Sequence, residues 1–504
     1  MSTVQHRLID CVTELSIDRS ALRLLYRDVQ QELGHFCGIA GIFSLDPINV
    51  PEQLFFPLFS IQHRGQESAG IAYRRANETV VYKDLGMVSQ VLARYLDRDI
   101  SSHLGIGHVR YSTHGGNKLE NAQPIHVRSN KGEIALAHNG NISNSRAIQK
   151  ELFDDGSIFQ TSSDSELILH LISRSRRADF HGALVDTLQR IEGAFSLVLM
   201  HNDTLMAVRD PSGFRPLFIG TKGGLTVVAS ESCALDILHI CDYRELKPGE
   251  LVRVDSRGRH HEMLSKQLPT RQCVFELIYF ARPDSTVFET SVYSSRKRMG
   301  AELARADGTI GDVVIPVPDS GNSAALGYAE QAGIPFELGL TRNHYAGRSF
   351  ILPTKAARKL AVRMKLHPIR DVISGKRVVL VDDSLVRGTT AKILVALMKE
   401  AGAAEVHLRL SSPEIRWPCF FGIDIPTREE LISNHMNAAE IARAIGADSV
   451  RFLSIEQLQR CLIQPSDYCF SCFSGRYPFA VPLADAQLEI TDAVCATTHT
   501  GNTS

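Results

Sequence analysis

Apolar and polar residues are distributed in two different ways along this chain, and the change divides it into two parts. Between about residues 37 and 265, short apolar runs are separated by turns rich in Gly, Asn, Asp and Pro, a pattern typical of β-strands. The clearest predicted elements are strands at 132–137, 194–200, 217–219 and 225–229 and a helix at 165–174. The first part is therefore predicted to be an α+β domain.

The second part alternates apolar runs of strand length with segments of helical length. We predict strands at 313–317, 378–381 and 406–410 and helices at 324–332 and 391–401. Strands that alternate with helices form a parallel sheet with crossover helices. The chain is thus predicted to be a two-domain protein in which an α/β domain follows an α+β domain.

Composition and charge narrow the class of protein. The chain has 504 residues, of which 44% are hydrophobic, and a formal net charge of −1, so neither nucleic acid nor an anionic membrane is expected as a partner. It has no apolar run of about 20 residues, no secretory signal pattern, and acidic residues near its start that organellar transit peptides avoid. Ten cysteines in such a chain favour free thiols, metal ligands or catalysis over disulfides. We expect a cytoplasmic protein.

The most informative motif is the run Arg-Val-Val-Leu-Val-Asp-Asp-Ser-Leu-Val-Arg-Gly-Thr-Thr at 377–390. A buried strand ends at two carboxylates, and a short loop then leads into a helix, whose N-terminus is a ready phosphate site. The carboxylates can accept hydrogen bonds from a vicinal diol, so the motif fits a ribose 5-phosphate. It resembles the fingerprint of type I phosphoribosyltransferases, which bind phosphoribosyl pyrophosphate (PRPP). The residues implied to bind PRPP here are Asp382, Asp383, Ser384, Arg387, Gly388, Thr389 and Thr390.

In the first part, Cys37 stands out because polar, turn-prone clusters follow the strands downstream of it. These clusters are 107–113, 121–124, 137–141 and 161–166. Their spacing alone does not reveal the chemistry, but their order resembles the glutamine amidohydrolase domain of the N-terminal-nucleophile class. Together with the PRPP motif, the chain resembles the amidophosphoribosyltransferase family, in its iron–sulfur, propeptide-processed branch, from about residue 37 to about residue 478.

This resemblance implies a fold and a domain layout. Residues 37–265 would form a glutaminase domain with an αββα sandwich, and residues 266–480 a type I phosphoribosyltransferase α/β domain with a parallel sheet and a four-cysteine cluster site. Residues 1–36 would be a propeptide, which is longer than is usual in the family. Residues 481–504 would be a polar C-terminal tail.

The resemblance also assigns roles in the first part. Cys37 would be the nucleophile, and its own α-amine, freed by removal of residues 1–36, would act as general base through a water. Asn139 and the backbone N–H of Gly140 would form the oxyanion hole. Arg110 would bind the α-carboxylate of glutamine and Asp164 its α-ammonium. If residues 1–36 stayed attached, glutamine hydrolysis would be lost while PRPP binding survived.

In the second part, residues 316–323 resemble a pyrophosphate loop. A glycine-containing turn after a strand can present backbone N–H groups to a pyrophosphate. By resemblance, Ser320, Asp382 and Asp383 are associated with one Mg²⁺ per subunit, an ion that keeps most of its waters and needs few protein ligands.

Residues 342–351 resemble the mobile lid that closes over PRPP. The chain has His-Tyr-Ala-Gly-Arg-Ser where the family more usually has Arg-Tyr-Val-Gly-Arg-Thr, and we expect the exchange to tune the lid and not to abolish its function. Arg342, Arg348 and Lys365 would supply positive charge to the leaving pyrophosphate, and closure would exclude water.

Four cysteines form a separate candidate site. Cys469 and Cys472 are a CxxC pair, which by itself fits zinc, redox chemistry or no function, and Cys273 and Cys419 complete a possible set. Four thiolates suit tetrahedral zinc and a [4Fe–4S] cluster equally well. The resemblance implies one [4Fe–4S] cluster per subunit, with a structural or oxygen-sensing role.

The implied activity is a relay between two sites. Glutamine is hydrolysed at Cys37, and ammonia passes to the second site and displaces pyrophosphate from C1 of PRPP, giving 5-phosphoribosylamine, glutamate and pyrophosphate. This is the first committed step of de novo purine (IMP) biosynthesis. The family further implies feedback inhibition by purine nucleotides and a homotetramer.

Two other functions stay open at this point. One is a PRPP-binding regulatory protein with an inactive glutaminase site, against which the joint presence of Cys37, Arg110, Asn139, Gly140 and Asp164 argues. The other is a different glutamine-dependent transferase, such as a sugar isomerase type, against which the motif at 378–390 argues. An assay for PRPP-dependent release of glutamate distinguishes all three.

Overall fold

The described part of the chain divides into two units by its internal contacts. The structure is a computed structural model and describes residues 37–96, 100–111, 118–308, 311–343 and 366–481. The larger unit contains residues 37–298, 415–428 and 455–481, and the smaller unit contains 299–414 and 429–454, less the gaps just given. The predicted propeptide at 1–36, and all of the predicted tail except Val481, lie outside the described residues.

The regular elements are short, as the sequence pattern predicts. In chain order the strands are β1 (Gly38–Asn49), β2 (Ser68–Arg75), β3 (Glu78–Leu85), β4 (Ser101–Arg110), β5 (Ile125–Ser129), β6 (Gly132–Ile142), β7 (Gly193–His201), β8 (Thr204–Arg209), β9 (Phe218–Lys222), β10 (Leu225–Ala229), β11 (Asp242–Glu245), β12 (Glu250–Asp255), β13 (Gly258–Met263), β14 (Gln272–Cys273), β15 (Thr286–Val287), β16 (Thr290–Ser291), β17 (Val313–Pro316), β18 (Leu340–Arg342), β19 (Leu366–Pro368), β20 (Arg377–Asp382), β21 (Glu405–Leu410), β22 (Ser449–Phe452) and β23 (Tyr468–Cys469).

The helices cover the sheets and join their strands. In chain order they are α1 (Val50–Ser60), α2 (Val88–Val91), α3 (Ser145–Asp154), α4 (Ser165–Arg174), α5 (Phe180–Arg190), α6 (Cys233–Asp236), α7 (Val292–Arg305), α8 (Asn322–Ala332), α9 (Arg370–Ile373), α10 (Thr389–Glu400), α11 (Ala438–Ile445), α12 (Ile455–Arg460) and α13 (Ser471–Ser474). Single turns of tighter or wider helix lie at Gln62–Arg64, Ala93–Tyr95, Leu119–Asn121, Glu276–Phe280, Arg428–Glu430, Ile432–Asn434 and Pro465–Asp467. None of the helices in the described ranges is both long and apolar enough to cross a membrane.

Two antiparallel sheets pack face to face in the larger unit. One has seven strands in the order β11-β9-β10-β1-β4-β2-β3, and the other has six in the order β13-β12-β8-β7-β6-β5. Strand β7 shows why its sequence is almost continuously apolar. Val198 and Met200 point into the core between the sheets, whereas Leu197 and Leu199 point into a second core, beneath helices α4 and α5. A strand buried on both faces needs apolar residues at every position.

Helix α1 covers the outer face of the seven-stranded sheet and packs close to it at two glycines of β4. A Cβ at Gly107 would lie 2.6 Å from Cδ1 of Leu58, and one at Gly105 would overlap Val50. The larger unit is therefore layered helix, sheet, sheet, helix, and the predicted αββα sandwich is confirmed.

The smaller unit is built on a four-stranded sheet in the order β17-β20-β21-β22, with every neighbouring pair parallel. In the central strand β20, Val378 pairs with Val313 on one side and with Val406 on the other. Its four apolar residues are fully buried, and Val378 and Leu380 belong to a core that α10 and α11 complete. The predicted parallel sheet with crossover helices is confirmed.

The grouping of contacts differs from the domain layout predicted from the sequence. The sequence predicts a boundary between residues 265 and 266, whereas residues 266–298, 415–428 and 455–481 pack with the larger unit. The reason is local pairing with distant residues: β14 joins β23 in a parallel pair, with Cys273 opposite Cys469. The four candidate cluster cysteines accordingly belong to the unit that contains Cys37.

Candidate active site

Cys37 lies immediately before β1, at a buried position on the edge of the sandwich core. The register of β1 with β4 places Gly38 opposite Val109, and the thiol of Cys37 donates to the carbonyl oxygen of Tyr111 at 3.9 Å. Burial raises the pKa of the Cys37 thiol to about 11, although the nearby Arg110 guanidinium acts in the opposite direction. At neutral pH the thiol is therefore protonated, and a base must take its proton before or as it attacks a substrate.

Arg110 closes β4 beside this thiol. The residue is buried and pairs with Ser68 of β2. Burial lowers the pKa of Arg110, while Cys37, Glu67 and Asp164 each act to raise it. Since Glu67 and Asp164 also act on the Cys37 thiol, the structure brings these four groups together. A cation and two anions beside a thiol suit a zwitterionic substrate such as an amino acid.

Asn139 and Gly140 lie on β6, opposite Ser196 and Phe195 of β7. The side-chain nitrogen of Asn139 is buried and has no hydrogen-bond partner in the described part of the chain. A buried donor without a partner is costly, and an oxyanion that forms during a reaction would satisfy it. Gly140 has a φ of +149°, and a Cβ there would overlap the carbonyl oxygen of Ala194, so only glycine fits.

A hydrogen bond ties the strand of Asn139 to the strand beside Cys37. The ring nitrogen Nε2 of His108, on β4, lies 3.1 Å from the carbonyl oxygen of His138. Burial lowers the pKa of His108 to about 3, so its ring is neutral at neutral pH. A neutral donor holds β4 and β6 together without adding charge to the site.

Asp164 precedes helix α4 and faces the end of β6. Its Oδ2 accepts from the backbone N–H of Ile142 at 2.8 Å, and its Oδ1 lies 3.9 Å from Nδ1 of His138. The hydroxyl of Ser165 lies 3.0 Å from Nε2 of Gln123 and 2.9 Å from Nδ1 of His138. These bonds orient the carboxylate toward the site that Cys37 and Arg110 share.

Sequence reasoning missed the supporting residues of this site. Gln123, His138 and Ser165 stand inside clusters that the sequence singled out, but they received no role. Gln123 also accepts from the backbone N–H of His138 at 2.8 Å, so it fixes the residue next to Asn139. Glu67 lies in the polar run at 63–68. No local pattern marks it, because the groups on which it acts, Cys37 and Arg110, are distant from it in sequence.

The four cysteines predicted to hold a cluster meet in the same unit. Cys273 and Cys469 are opposite one another in the β14–β23 pair, and Cys472 is the second residue of helix α13. Burial raises the pKa of Cys273 to about 12 and that of Cys472 well above its usual value, and for Cys472 the other three thiols act in the same direction. Four such thiols can ionise together only if cations neutralise them.

A single zinc ion and an iron–sulfur cluster require different spacings of four sulfurs. In the described ranges, no three His, Cys, Asp or Glu side chains lie close enough together to hold a single metal ion. A tetrahedral zinc would need every sulfur at about 2.3 Å from one centre. A polynuclear cluster binds each thiolate to a different iron and so accepts more widely spaced sulfurs. Four thiolates are a suitable donor set for either kind of site.

In the smaller unit, Asp382 and Asp383 stand at the C-terminal end of β20. The backbone N–H of Asp383 donates to Oδ1 of Asp382 at 2.9 Å, and the Ser384 hydroxyl donates to Asp383. Gly388 has a φ of +75° and is the last residue before α10, whose first residues are Thr389 and Thr390. The loop therefore ends at a helix N-terminus, as a phosphate site requires.

Other predicted residues of this unit have partners of their own. Arg387 pairs with Glu430 at 2.7 Å, and Arg342 pairs with Asp319 in the loop that also holds Ser320. Arg348 and Lys365 lie outside the described residues, as does most of the predicted lid.

Comparison with known proteins identifies a family profile and several relatives that this chain resembles. A family profile described as "Glutamine amidotransferase domain" matches residues 108–236. The chain is 45% identical to the amidophosphoribosyltransferase of Methanocaldococcus jannaschii over 462 residues, which cover 88% of this chain and 98% of the relative. It is 44% identical to the protein of that name from Bacillus subtilis, with 88% and 94% covered.

Two solved structures match over most of the chain. One, from Bacillus subtilis, is described as glutamine PRPP amidotransferase complexed with ADP and GMP. It has a TM-score of 0.83 and 43% sequence identity, and the match covers 90% of this chain and 99% of the solved chain. The other, described as the allosteric regulatory enzyme of purine biosynthesis, has a TM-score of 0.84, 43% identity, and 90% and 98% coverage.

Proposed function

The chain belongs to the amidophosphoribosyltransferase family, and we propose that it transfers the amide nitrogen of glutamine to PRPP in two half-reactions on its two units. The products would be 5-phosphoribosylamine, glutamate and pyrophosphate, at the first committed step of purine synthesis. The observation that carries this proposal is the similarity to amidophosphoribosyltransferases along nearly their whole length. Cys37 and the residues around it would carry out the first half-reaction. The loop that begins at Asp382 and ends at helix α10 would bind PRPP for the second.

In the first half-reaction, the sulfur of Cys37 attacks the amide carbon of glutamine. The thiol proton moves through a water to the free α-amine of the same residue, whose pKa of about 8 suits a base at neutral pH. The new oxyanion accepts hydrogen bonds from the Asn139 side chain and the Gly140 N–H. The protonated α-amine returns this proton to the amide nitrogen, so that the C–N bond breaks and ammonia leaves, and water then hydrolyses the glutamyl thioester to release glutamate and the thiol.

Arg110 and Asp164 would hold the ends of glutamine that do not react. The guanidinium of Arg110 binds the α-carboxylate, and Oδ1 of Asp164 accepts from the α-ammonium while Oδ2 stays bonded to the N–H of Ile142. This mechanism needs Cys37 to be the first residue of the mature chain. We therefore propose that residues 1–36 are removed.

In the second half-reaction, ammonia attacks C1 of PRPP and pyrophosphate leaves. Asp382 and Asp383 would bind the ribose hydroxyls, and Ser384, Arg387, Gly388, Thr389 and Thr390 would surround the 5′-phosphate. Arg342, Arg348 and Lys365 would neutralise the departing pyrophosphate. The reaction consumes uncharged ammonia, so we propose that it passes between the sites without being released.

Two inorganic groups belong to this proposal. Ser320, Asp382 and Asp383 would hold Mg²⁺, which neutralises charge on the pyrophosphate. Cys273, Cys419, Cys469 and Cys472 would hold a [4Fe–4S] cluster, which would supply structural crosslinking among three separate segments of the larger unit. The placement of all four cysteines in the larger unit and the mutual electrostatic effect of their thiols support this assignment.

Regulation, assembly and location complete the proposal. A relative of this chain was solved with ADP and GMP bound, which supports feedback control of this chain by purine nucleotides. We further propose a homotetramer in the cytoplasm.

The central experiment measures glutamate release from glutamine with and without PRPP, together with PRPP consumption. We expect release that depends on PRPP, with pyrophosphate formed in equal amount. Glutamate release that is indifferent to PRPP would favour another glutamine-dependent transferase. Binding of PRPP without any glutamate release, by protein whose N-terminus is Cys37, would favour a regulatory protein with an inactive glutaminase site.

A further inference from the structure

The oxyanion strand β6 is in contact with the segment that carries Cys419. We call residues 417–422 the Cys419 segment. The side-chain amide of Asn141, two residues after Asn139, donates to the carbonyl oxygen of Phe420 at 2.8 Å. At the end of the segment, Gly422 has a φ of +98°, and a Cβ there would lie 3.2 Å from the carbonyl carbon of Gly140. The two backbones are therefore in van der Waals contact beside the proposed oxyanion donors.

Arg215 holds the same segment from a second direction. Its guanidinium is fully buried and donates to the carbonyl oxygen of Phe421 at 2.7 Å and to Glu276 at 3.3 Å. The carbonyl oxygen of Arg215 in turn accepts from the Ser196 hydroxyl at 3.3 Å. Ser196 is the residue opposite Asn139 on β7. Arg215 therefore links the Cys419 segment to the strand that pairs with β6.

Apolar packing fixes the segment in place. The rings of Phe214 and Phe421 stack with their centroids 4.6 Å apart. Ala194 belongs to the same small core, and its carbonyl oxygen is the atom that a side chain at residue 140 would overlap. Gly140 thus lies between Ala194 on one side and Gly422 on the other.

We propose that Asn141 is a positioning residue for glutamine hydrolysis, which acts through Phe420 to hold the Asn139 and Gly140 donors at the oxyanion. This inference rests on the proposed function of the Cys37 site. Preorganised donors lose much of their effect when they move by a fraction of an ångström, because the hydrogen bonds must fit the transition state and not the substrate. Asn141 lies in the last pairs of β6 with β7, and its bond to the Phe420 carbonyl adds a constraint from outside the sheet.

The test compares Asn141→Asp with Asn144→Asp. Asp at residue 141 keeps the shape but loses the N–H and repels the Phe420 carbonyl. Asn144 is the matched control, since its side chain makes the same kind of bond, to the carbonyl oxygen of Arg190 at 2.9 Å, without touching the Cys419 segment. We expect Asn141→Asp to lower kcat for glutamate release by about ten- to a hundredfold, with KM for glutamine within about twofold. Asn144→Asp should keep the wild-type kcat.

Three further readouts separate positioning from general damage. Ammonia-dependent consumption of PRPP and the iron content of Asn141→Asp should match the wild type, and its melting temperature should fall no further than that of Asn144→Asp, which loses a similar bond. A wild-type kcat for Asn141→Asp, an equal loss for Asn144→Asp, or a parallel rise in KM would overturn the inference. Absence of glutamate release from the processed wild-type enzyme itself would instead refute the proposed function.

Discussion

Cys273 and Cys469 stand opposite each other in a parallel pair of two-residue strands, although one follows the sandwich and the other lies near the end of the described chain. The pair places the four proposed cluster ligands within the glutaminase unit, where burial raises the pKa of the Cys273 and Cys419 thiols and the nearby Arg215 guanidinium acts in the opposite direction. A buried cation beside the thiols favours their ionised form, which is the form that binds metal.

Replacing one of these cysteines tests the proposed cluster. We expect Cys469→Ser to reduce bound iron from about four atoms per chain to less than one and to lower the melting temperature. Iron and acid-labile sulfide analysis of anaerobically purified protein measures the first, and calorimetry the second. Cys241→Ser, at an exposed thiol outside the group, is the control and should keep the wild-type iron content. Zinc without iron in the wild-type protein would contradict the assignment.

Removing the Cys37 thiol should separate the two half-reactions. We expect Cys37→Ala to lower glutamine-dependent PRPP consumption at least about a thousandfold, because no other group can form the glutamyl thioester. Consumption with ammonium salt as nitrogen donor should stay at the wild-type rate, since it needs only the second site. Parallel loss of both activities would show that Cys37 is structural.

The protonation state of Cys37 gives a pH-dependent prediction. Burial raises the pKa of its thiol to about 11, so the thiolate fraction is only about one in a thousand at pH 8 and grows about tenfold per pH unit up to the pKa. Alkylation by iodoacetamide, followed by mass spectrometry of the peptide that contains Cys37, should accelerate in that proportion between pH 8 and 10. A rate that has levelled off by pH 8 would mean that the thiolate is already formed in the resting enzyme.

Asn139 offers a test of transition-state stabilisation. Its side-chain nitrogen is buried without a partner in the described part of the protein, and we expect Asn139→Ala to lower kcat for glutamate release by about a hundred- to a thousandfold. KM for glutamine should change little, because the donor acts on an oxygen that becomes anionic only during the reaction. Steady-state kinetics of glutamate release give both constants. A rise in KM at constant kcat would instead mean that Asn139 binds the ground state.

Two carboxylates of the smaller unit, Asp383 and Asp312, allow a controlled test of the proposed PRPP site. We expect Asp383→Asn to raise KM for PRPP or lower kcat by about ten- to a hundredfold with either nitrogen donor, as fits the loss of hydrogen bonds to a charged group. Asp312→Asn is the control, because Asp312 is an exposed carboxylate that pairs with Arg377 at 2.7 Å. Wild-type kinetics for Asp383→Asn across a Mg²⁺ titration would exclude it from the site.

Much of the fold can be predicted from local pattern. Strand β10 and helix α4 have the bounds expected from the sequence, and β20 extends one residue beyond the predicted apolar run on each side. Local signals suffice there because each element carries its own apolar pattern and its own end signals. The same holds for the loop before α10, where Gly388 adopts a positive φ.

The remainder depends on contacts that no short stretch of sequence encodes. The two-residue strands β14 and β23 have no pattern of their own and exist only because their partners are adjacent. The roles of Gln123 and Ser165 likewise arise from tertiary neighbours, as does the contact between Asn141 and Phe420. The domain boundary predicted at residue 265 follows the change in the hydrophobic pattern along the sequence. The boundary in the structure depends instead on where residues 266–298, 415–428 and 455–481 pack.

The discontinuity of the larger unit has a consequence for how the protein is made. Residues 415–428 and 455–481 reach the ribosome exit only after residues 299–414, most of the smaller unit, have been synthesised, yet they complete the packing around Phe214 and Ala194. A nascent chain that ends at residue 265 would leave these apolar side chains uncovered. Maturation of the glutamine site must therefore wait for nearly the entire polypeptide, and a truncated gene product would not yield a working half-enzyme.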